Sequence, residues 1–233
     1  MAKRVAVVLC GCGRADGSEI HESVSILIHL SSRGFAYKCF APDAPQTDVI
    51  NHATSKHAPP GQTRNMMVES ARISRGDISP IDKLAIADFD AVVFPGGFGA
   101  AKNLCNFATK GGECEVNPDV ERIIRGFHNA KKPIALCCIA PVLAARVLGT
   151  RMNGPGCTVT IGADAATADA IRTMGSQAVG RSVLESCTDM KHRIVTSPAY
   201  MFDNAKPHEV FQGIGRMIDD LATLMGVAAT PST

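Results

Sequence analysis

The chain has 233 residues, 45 % hydrophobic and 20 % charged, which suits one large α/β domain or two small ones. Its net charge of +2 gives no reason to expect nucleic acid or an anionic membrane as partner, and with no Trp and two Tyr it lacks stacking platforms for single strands. The nine cysteines are odd in number and lack paired Cys-x-x-Cys spacing, so they read as free thiols in a reducing compartment rather than a zinc site or disulfide framework. The expected location is cytoplasmic, or mitochondrial if a leader has been removed. The first apolar run, Val5 to Cys10, is too short for a signal-peptide core, and no stretch is long enough to span a bilayer.

Lys3 to Cys10 reads as a buried strand and Gly11 to Gly17 as a turn-rich loop. Gly11-x-Gly13-x-x-x-Gly17 is not the dinucleotide pattern G-x-G-x-x-G, and a lone glycine-rich loop carries little weight for a nucleotide. A helix capped by Ser18 or Asp16 follows, with Ile20, Val24, Leu27, Ile28 and Leu30 as its apolar stripe and Gly34 as its stop. Ala36 to Phe40 is the second strand of this βαβ opening. Residues 42–80 break the alternation. Pro45, Pro59, Pro60 and Gly61 mark loop, and Thr63 to Arg75 is a helix ended by Gly76. This stretch reads as an insertion packed over the active-site side, a lid or wall whose Asn65, Glu69 and Arg72 point into a cleft; a solvated polar face is the alternative.

A short helix from Pro80 to Ala87 leads to a buried strand, Ala91 to Phe94, and then to Pro95-Gly96-Gly97-Phe98-Gly99. Those glycines allow a tight turn and open a helix N-terminus whose amides can receive an oxyanion. Asn117-Pro118 caps a helix to about Ala130. Further on, Thr158 to Ile161 is a strand and Asp164 to Met174 a helix. Ser182 to Cys187 and Arg193 to Ser197 are two strands joined by a polar turn. Pro207 to Met225 is the last helix, with Val210, Ile214, Met217, Ile218, Leu221 and Leu224 facing inward, and residues 227–233 are expected to fray. Strands alternating with helices predict one three-layer α/β sandwich over 1–233, a flavodoxin-like and mostly parallel sheet with a nucleophile elbow.

The elbow is the centre of the chain. Ile134 to Cys137 is a short uncharged apolar run, the pattern of a strand buried on both faces. Val142, Leu143, Arg146, Val147 and Leu148 then recur at helical spacing, with Gly149 as stop. A strand turning directly into a helix leaves Cys138 at the corner, where α/β-hydrolases hold their serine. Free N–H groups and the helix dipole are expected to lower its thiol pKa. Cys137 should point the other way. The competing reading is a buried cysteine acting as a small hydrophobe.

Gly17-Ser18-Glu19-Ile20-His21-Glu22-Ser23-Val24, Pro95-Gly96-Gly97 and Cys138-Ile139-Ala140-Pro141 resemble the motifs of the PfpI branch of the class I glutamine amidotransferase-like superfamily. Phe40-Ala41-Pro42-Asp43, Glu69 to Gly76, Phe94 to Leu104 and Thr196-Ser197-Pro198-Ala199-Tyr200-Met201 resemble, more narrowly, the enhancing lycopene biosynthesis (sigma cross-reacting) protein family. The similarity implies Cys138 as nucleophile and Glu22 as the carboxyl beside its sulfur. It also implies Gly97 and Ile139 as the oxyanion-hole amides. Further candidates for the pocket are His21, Gly96, Asn65, Glu69 and Tyr200.

A glutaminase needs a Cys-His-Glu relay. His29, His52, His57, His128, His192 and His208 show no His-x-Glu spacing after a strand, so amidotransferase and protease activity are not expected. The resemblance leaves two readings. One is a cofactor-free, low-turnover enzyme on a small-molecule carbonyl substrate, glyoxalase- or deglycase-like, with no metal. The other is a redox-sensing or chaperone-like protein that uses a reactive cysteine. A homodimer is expected by the same resemblance. The family's name refers to isoprenoid yield, a phenotype rather than a mechanism.

Overall fold

In the computed structural model, which describes residues 2–227, strand β1 (Arg4–Val8), helix α1 (Ile20–Ser32) and strand β2 (Ala36–Ala41) open the chain. A small hairpin, β3 (Ile50–Asn51) and β4 (Lys56–His57), then α2 (Met66–Ile73) and β5 (Ile78–Pro80), occupy the expected insertion. Next come β6 (Ala91–Phe94), α3 (Phe98–Lys102), α4 (Phe107–Lys110), α5 (Pro118–Asn129), β7 (Ile134–Cys137) and α6 (Pro141–Val147). The chain continues with β8 (Thr158–Val159), α7 (Ala165–Thr173), β9 (Gln177–Ala178), β10 (Cys187–Asp189), β11 (Ile194–Ser197) and α8 (Pro207–Leu224).

Seven strands form the central sheet in the order β10-β11-β7-β6-β1-β2-β5. All neighbours are parallel except β10, which runs antiparallel to β11. The fold is therefore α/β, a flavodoxin-like sandwich. Along β1 the side chains alternate between two cores. Val5 and Val7 pack with Ile26 and Leu30 of α1 and Val210, Ile214 and Ile218 of α8. Ala6 and Val8 pack with Ile123, Ile124 and Phe127 of α5 and Leu143 of α6. Burial on both faces explains why the strands read as unbroken apolar runs. The chain leaves β1 toward β2 on one side and toward β6 and β7 on the other, so the connections diverge beyond the carboxyl ends of β1 and β6. In open α/β sheets that divergence makes a crevice.

Several boundaries moved for identifiable reasons. The N-cap of α1 is Glu19, whose Oε2 accepts the Glu22 amide at 2.8 Å. Ser18 and Asp16 serve other segments, with Ser18 Oγ accepting Cys10 N–H at 2.9 Å and Asp16 Oδ2 accepting Ile50 N–H at 2.8 Å. The stretch after Pro80 is two 3-10 turns, Ile81–Lys83 and Ile86–Asp88. Thr158 and Thr160 give their amides to the side chains of Asp189 and Thr196, so β8 pairs only with β9 outside the main sheet. Ser182 to Glu185 is a turn closed by the Glu185 carboxylate, and the strand starts at Cys187. Of the tail expected to fray, residues 228–233 lie outside the described residues.

Among the described residues no helix is long and apolar enough to cross a membrane. The cap of α5 appears where the sequence placed it. Asn117 Oδ1 accepts the amides of Asp119 and Val120 at 2.9 and 3.4 Å. Asn117→Ala should lower stability by about 1 kcal/mol, read as a shift of the urea midpoint at constant slope.

Candidate active site

Three loops converge on the crevice. Phe98 N–H donates to Arg14 O at 2.8 Å, Glu19 N–H to Gly96 O at 3.0 Å, and Gly99 N–H to Gly17 O at 3.0 Å, which clamps the loop after β6 to the loop after β1. Cys138 N–H donates to Ser197 O at 2.9 Å and fixes the loop after β7 against β11. Cys138 has φ 57, in the left-handed region that side chains other than glycine rarely adopt. This is the strained corner of a nucleophile elbow.

The bend also overturns one expectation. Strand alternation ends at Cys137, and the left-handed turn at Cys138 folds the next side chain back toward the same carboxyl. Cys137 Sγ donates to Glu22 Oε2 at 3.6 Å, and the Cys138 thiol lies beside the same carboxyl, each shifting the other's ionisation. A methyl placed on Gly96 would lie 2.4 Å from Cys138 Cβ and 2.7 Å from Glu22 Oε2, so only glycine lets these groups meet. Glu22 is fully buried. Its Oε2 accepts Gly96 N–H at 2.9 Å and its Oε1 accepts Tyr200 N–H at 3.2 Å. The amides of Gly97 and Ile139 point at the Cys138 sulfur.

Burial decides the electrostatics. It pushes the Glu22 carboxyl up to about 7, helped by the nearby Glu19 charge and opposed by the Tyr200 amide, the Cys138 thiol and the Gly96 amide. Burial, then the Glu22 charge, pushes the Cys138 thiol well up, against the Gly97 and Ile139 amides that favour its thiolate. The expected low pKa is therefore not found. Cys138 is only 8 % exposed, and α6 is a seven-residue helix whose dipole is too short to offset desolvation. Near pH 7 the carboxyl is about half ionised, while the Cys138 proton stays on sulfur.

Above the sulfur lies a cavity of about 560 Å³ lined by Cys138, Gly97, Ile139, His21 and Tyr200. Phe98, Ala101, Phe107, Ala108 and Met201 give it an apolar wall, while Arg14, Glu19, Asp164, Thr167 and Asp203 supply polar groups. His21 Nδ1 and Tyr200 Oη are 2.8 Å apart. Residues 42–80 contribute nothing to this lining. Asn65 caps α2 through Val68 N–H and donates to Asp43 at 2.7 Å, and Glu69 pairs with Arg72 at 3.0 Å. The insertion instead braces the first glycine loop, where Ser70 Oγ accepts Gly11 N–H at 2.8 Å. Its charges serve local structure because α2 lies along the β2–β5 edge. The apolar wall escaped sequence reasoning, since Phe107 and Ala108 belong to a four-residue helix without a readable period. Asp164 was legible only as the start of a helix, where it caps α7.

Among the described residues, no group of three or more His, Cys, Asp or Glu side chains is placed to hold a metal ion, and all nine cysteines are free. Four of the other histidines are occupied elsewhere: His29 against Phe211 O, His52 between Ala15 N–H and Ile50 O, and His128 and His192 against each other.

No family model matches the chain. A human protein, glutamine amidotransferase-like class 1 domain-containing protein 3, mitochondrial, is 47 % identical over 97 % of this chain and 84 % of its own length. The rat ES1 protein homolog, mitochondrial, is 46 % identical over 96 % of this chain and 84 % of its own. Among solved structures, an isoprenoid biosynthesis protein with amidotransferase-like domain from Ehrlichia chaffeensis superposes with a TM-score of 0.88 at 36 % identity, covering 96 % of this chain and 99 % of that one. Sequence, fold and the elbow together place the chain in the ES1, or enhancing lycopene biosynthesis, family of the PfpI-like class I glutamine amidotransferase fold.

Proposed function

We propose that this protein is a cofactor-free, cysteine-dependent enzyme that converts a small reactive carbonyl, glyoxal or methylglyoxal, to the hydroxy acid. The observation that supports this reading is the buried Cys138–Glu22 pair beneath an open cavity, with two backbone amides aimed at the sulfur. A carboxyl group pushed up to about 7 is matched to proton transfer at neutral pH. Glu22 takes the thiol proton as the sulfur bonds to the aldehyde carbon, and the carbonyl electron pair moves to oxygen. The Gly97 and Ile139 amides receive that oxyanion. Glu22 passes its proton to the oxygen, then removes the hydrogen of the same carbon and returns it to the neighbouring carbonyl carbon, while the new hydroxyl on the first carbon gives up its proton to the second oxygen. The first carbon rises to a thioester as the second is reduced to a carbinol, so no outside oxidant or reductant is consumed. Water then displaces the sulfur and regenerates the thiol.

Wild type should form lactate from methylglyoxal, and Cys138→Ala should form none. Equal production by both, or none by either, would remove this reading. A glutaminase is not supported, because the cavity holds no Cys-His-Glu relay. Redox sensing is not supported either, since a sensor thiol is exposed and acidic whereas Cys138 is buried with a raised pKa. The exposed stripe of Ile20, Val24 and Ile28 on α1 supports the expected homodimer. The mitochondrial names of the human and rat relatives support the mitochondrial alternative for location.

A further inference from the structure

We infer that His21, held by Tyr200, is a second catalytic residue: its Nε2–H donates to the oxygen of the substrate's second carbonyl, which makes the site one for 1,2-dicarbonyls rather than simple aldehydes. This inference rests on the glyoxalase-like reading above. Proton removal from the carbon bonded to sulfur develops charge on the neighbouring carbonyl oxygen, and that oxygen needs its own donor. The groups already assigned cannot supply it. The Gly97 and Ile139 amides point at the sulfur and so serve the first oxygen. The Glu22 carboxyl is anchored by the Gly96 and Tyr200 amides on the Cys138 side, where it serves the proton of the carbon bonded to sulfur and not the second oxygen.

His21 is placed to fill the gap. It precedes Glu22 on α1 by one residue, roughly 100° of turn, so the carboxyl lies buried while the imidazole lines the wall of the cavity. Tyr200 ties the two together. Its backbone amide donates to Glu22 at 3.2 Å, and its hydroxyl lies 2.8 Å from His21 Nδ1. Burial and the Glu19 and Glu22 charges push the Tyr200 phenol above its usual range, so it stays protonated. Among the described residues its hydroxyl has no other protein acceptor within reach. With the phenol as donor to Nδ1, the ring N–H is left at Nε2, which makes that atom a hydrogen-bond donor rather than a base.

The test uses methylglyoxal with His21→Leu, Tyr200→Phe and the double variant. His21→Leu should lower kcat for lactate by roughly 10²-fold, the cost of one lost oxyanion donor. KM should change little, because the bond strengthens only as charge develops. Tyr200→Phe should cost less, and the double variant no more than His21→Leu alone, since the phenol acts through the imidazole. Alkylation of Cys138 by iodoacetamide should proceed at the wild-type rate in all three. A wild-type kcat in His21→Leu, additive losses in the double variant, or slowed alkylation in His21→Leu would each overturn the inference while leaving an active wild type as a glyoxalase. No lactate from wild type would overturn both.

Discussion

Glu22→Gln is expected to slow lactate formation by roughly 10²–10⁴-fold, the usual cost of removing a positioned acid–base group. The same substitution should also change how stability depends on pH. Burial raises the Glu22 carboxyl from its ordinary 4.5 to about 7. Between those values the folded chain holds a proton that the unfolded chain has released. The group's stabilising contribution is full below pH 4.5 and is lost as pH rises through 7, a swing of about 3 kcal/mol. Urea unfolding of wild type should show stability falling across this window. Glu22→Gln cannot titrate, so its profile there should be flatter. An unchanged slope would mean that Glu22 is not the buried group that takes up the proton.

Gly97→Ala should be the most destabilising of the glycine substitutions in the site loops, by about 2–5 kcal/mol. Gly97 has φ 94, and a methyl there would sit 2.4 Å from Gly17 O and 2.5 Å from Glu19 N. Both are backbone atoms of the loop that leads into α1 and Glu22, so the clash cannot be relieved by a rotamer change. Gly76 is the matched comparison, with φ 87 and nothing within 4 Å of an added methyl. Gly76→Ala should cost only the left-handed conformation, roughly 1–2 kcal/mol. The difference between the two urea midpoints isolates the close approach of the β6 loop to the β1 loop. Equal losses would mean that backbone strain alone explains Gly97.

The elbow was legible because three local signals coincide in Ile134 to Leu148: an uncharged four-residue strand, a corner residue and a helical repeat. What local pattern misses is direction and environment. The left-handed turn at Cys138 puts its thiol beside Cys137 on one carboxyl, against simple alternation. Of the apolar stripe expected on α1, Leu27 and Leu30 are buried but Ile20, Val24 and Ile28 are exposed, while Glu22, Ser23 and His29 are buried. Helical periodicity favours apolar residues, and here the site and the α8 contact require polar ones inside. The charges at Asn65 and Glu69 looked functional only because their partners, Asp43 and Arg72, are not visible as a pattern. The thiol pKa depends on burial, which the dipole argument leaves out.

Alkylation of Cys138 across pH, followed by peptide mass spectrometry in wild type and Glu22→Gln, bears most directly on the claim that a buried carboxyl draws the proton from a reluctant thiol. Wild type should react with a midpoint near pH 7, where Glu22 loses its proton, and Glu22→Gln, which lacks that base, should show no rise at this pH. Coincident profiles for the two proteins would contradict it.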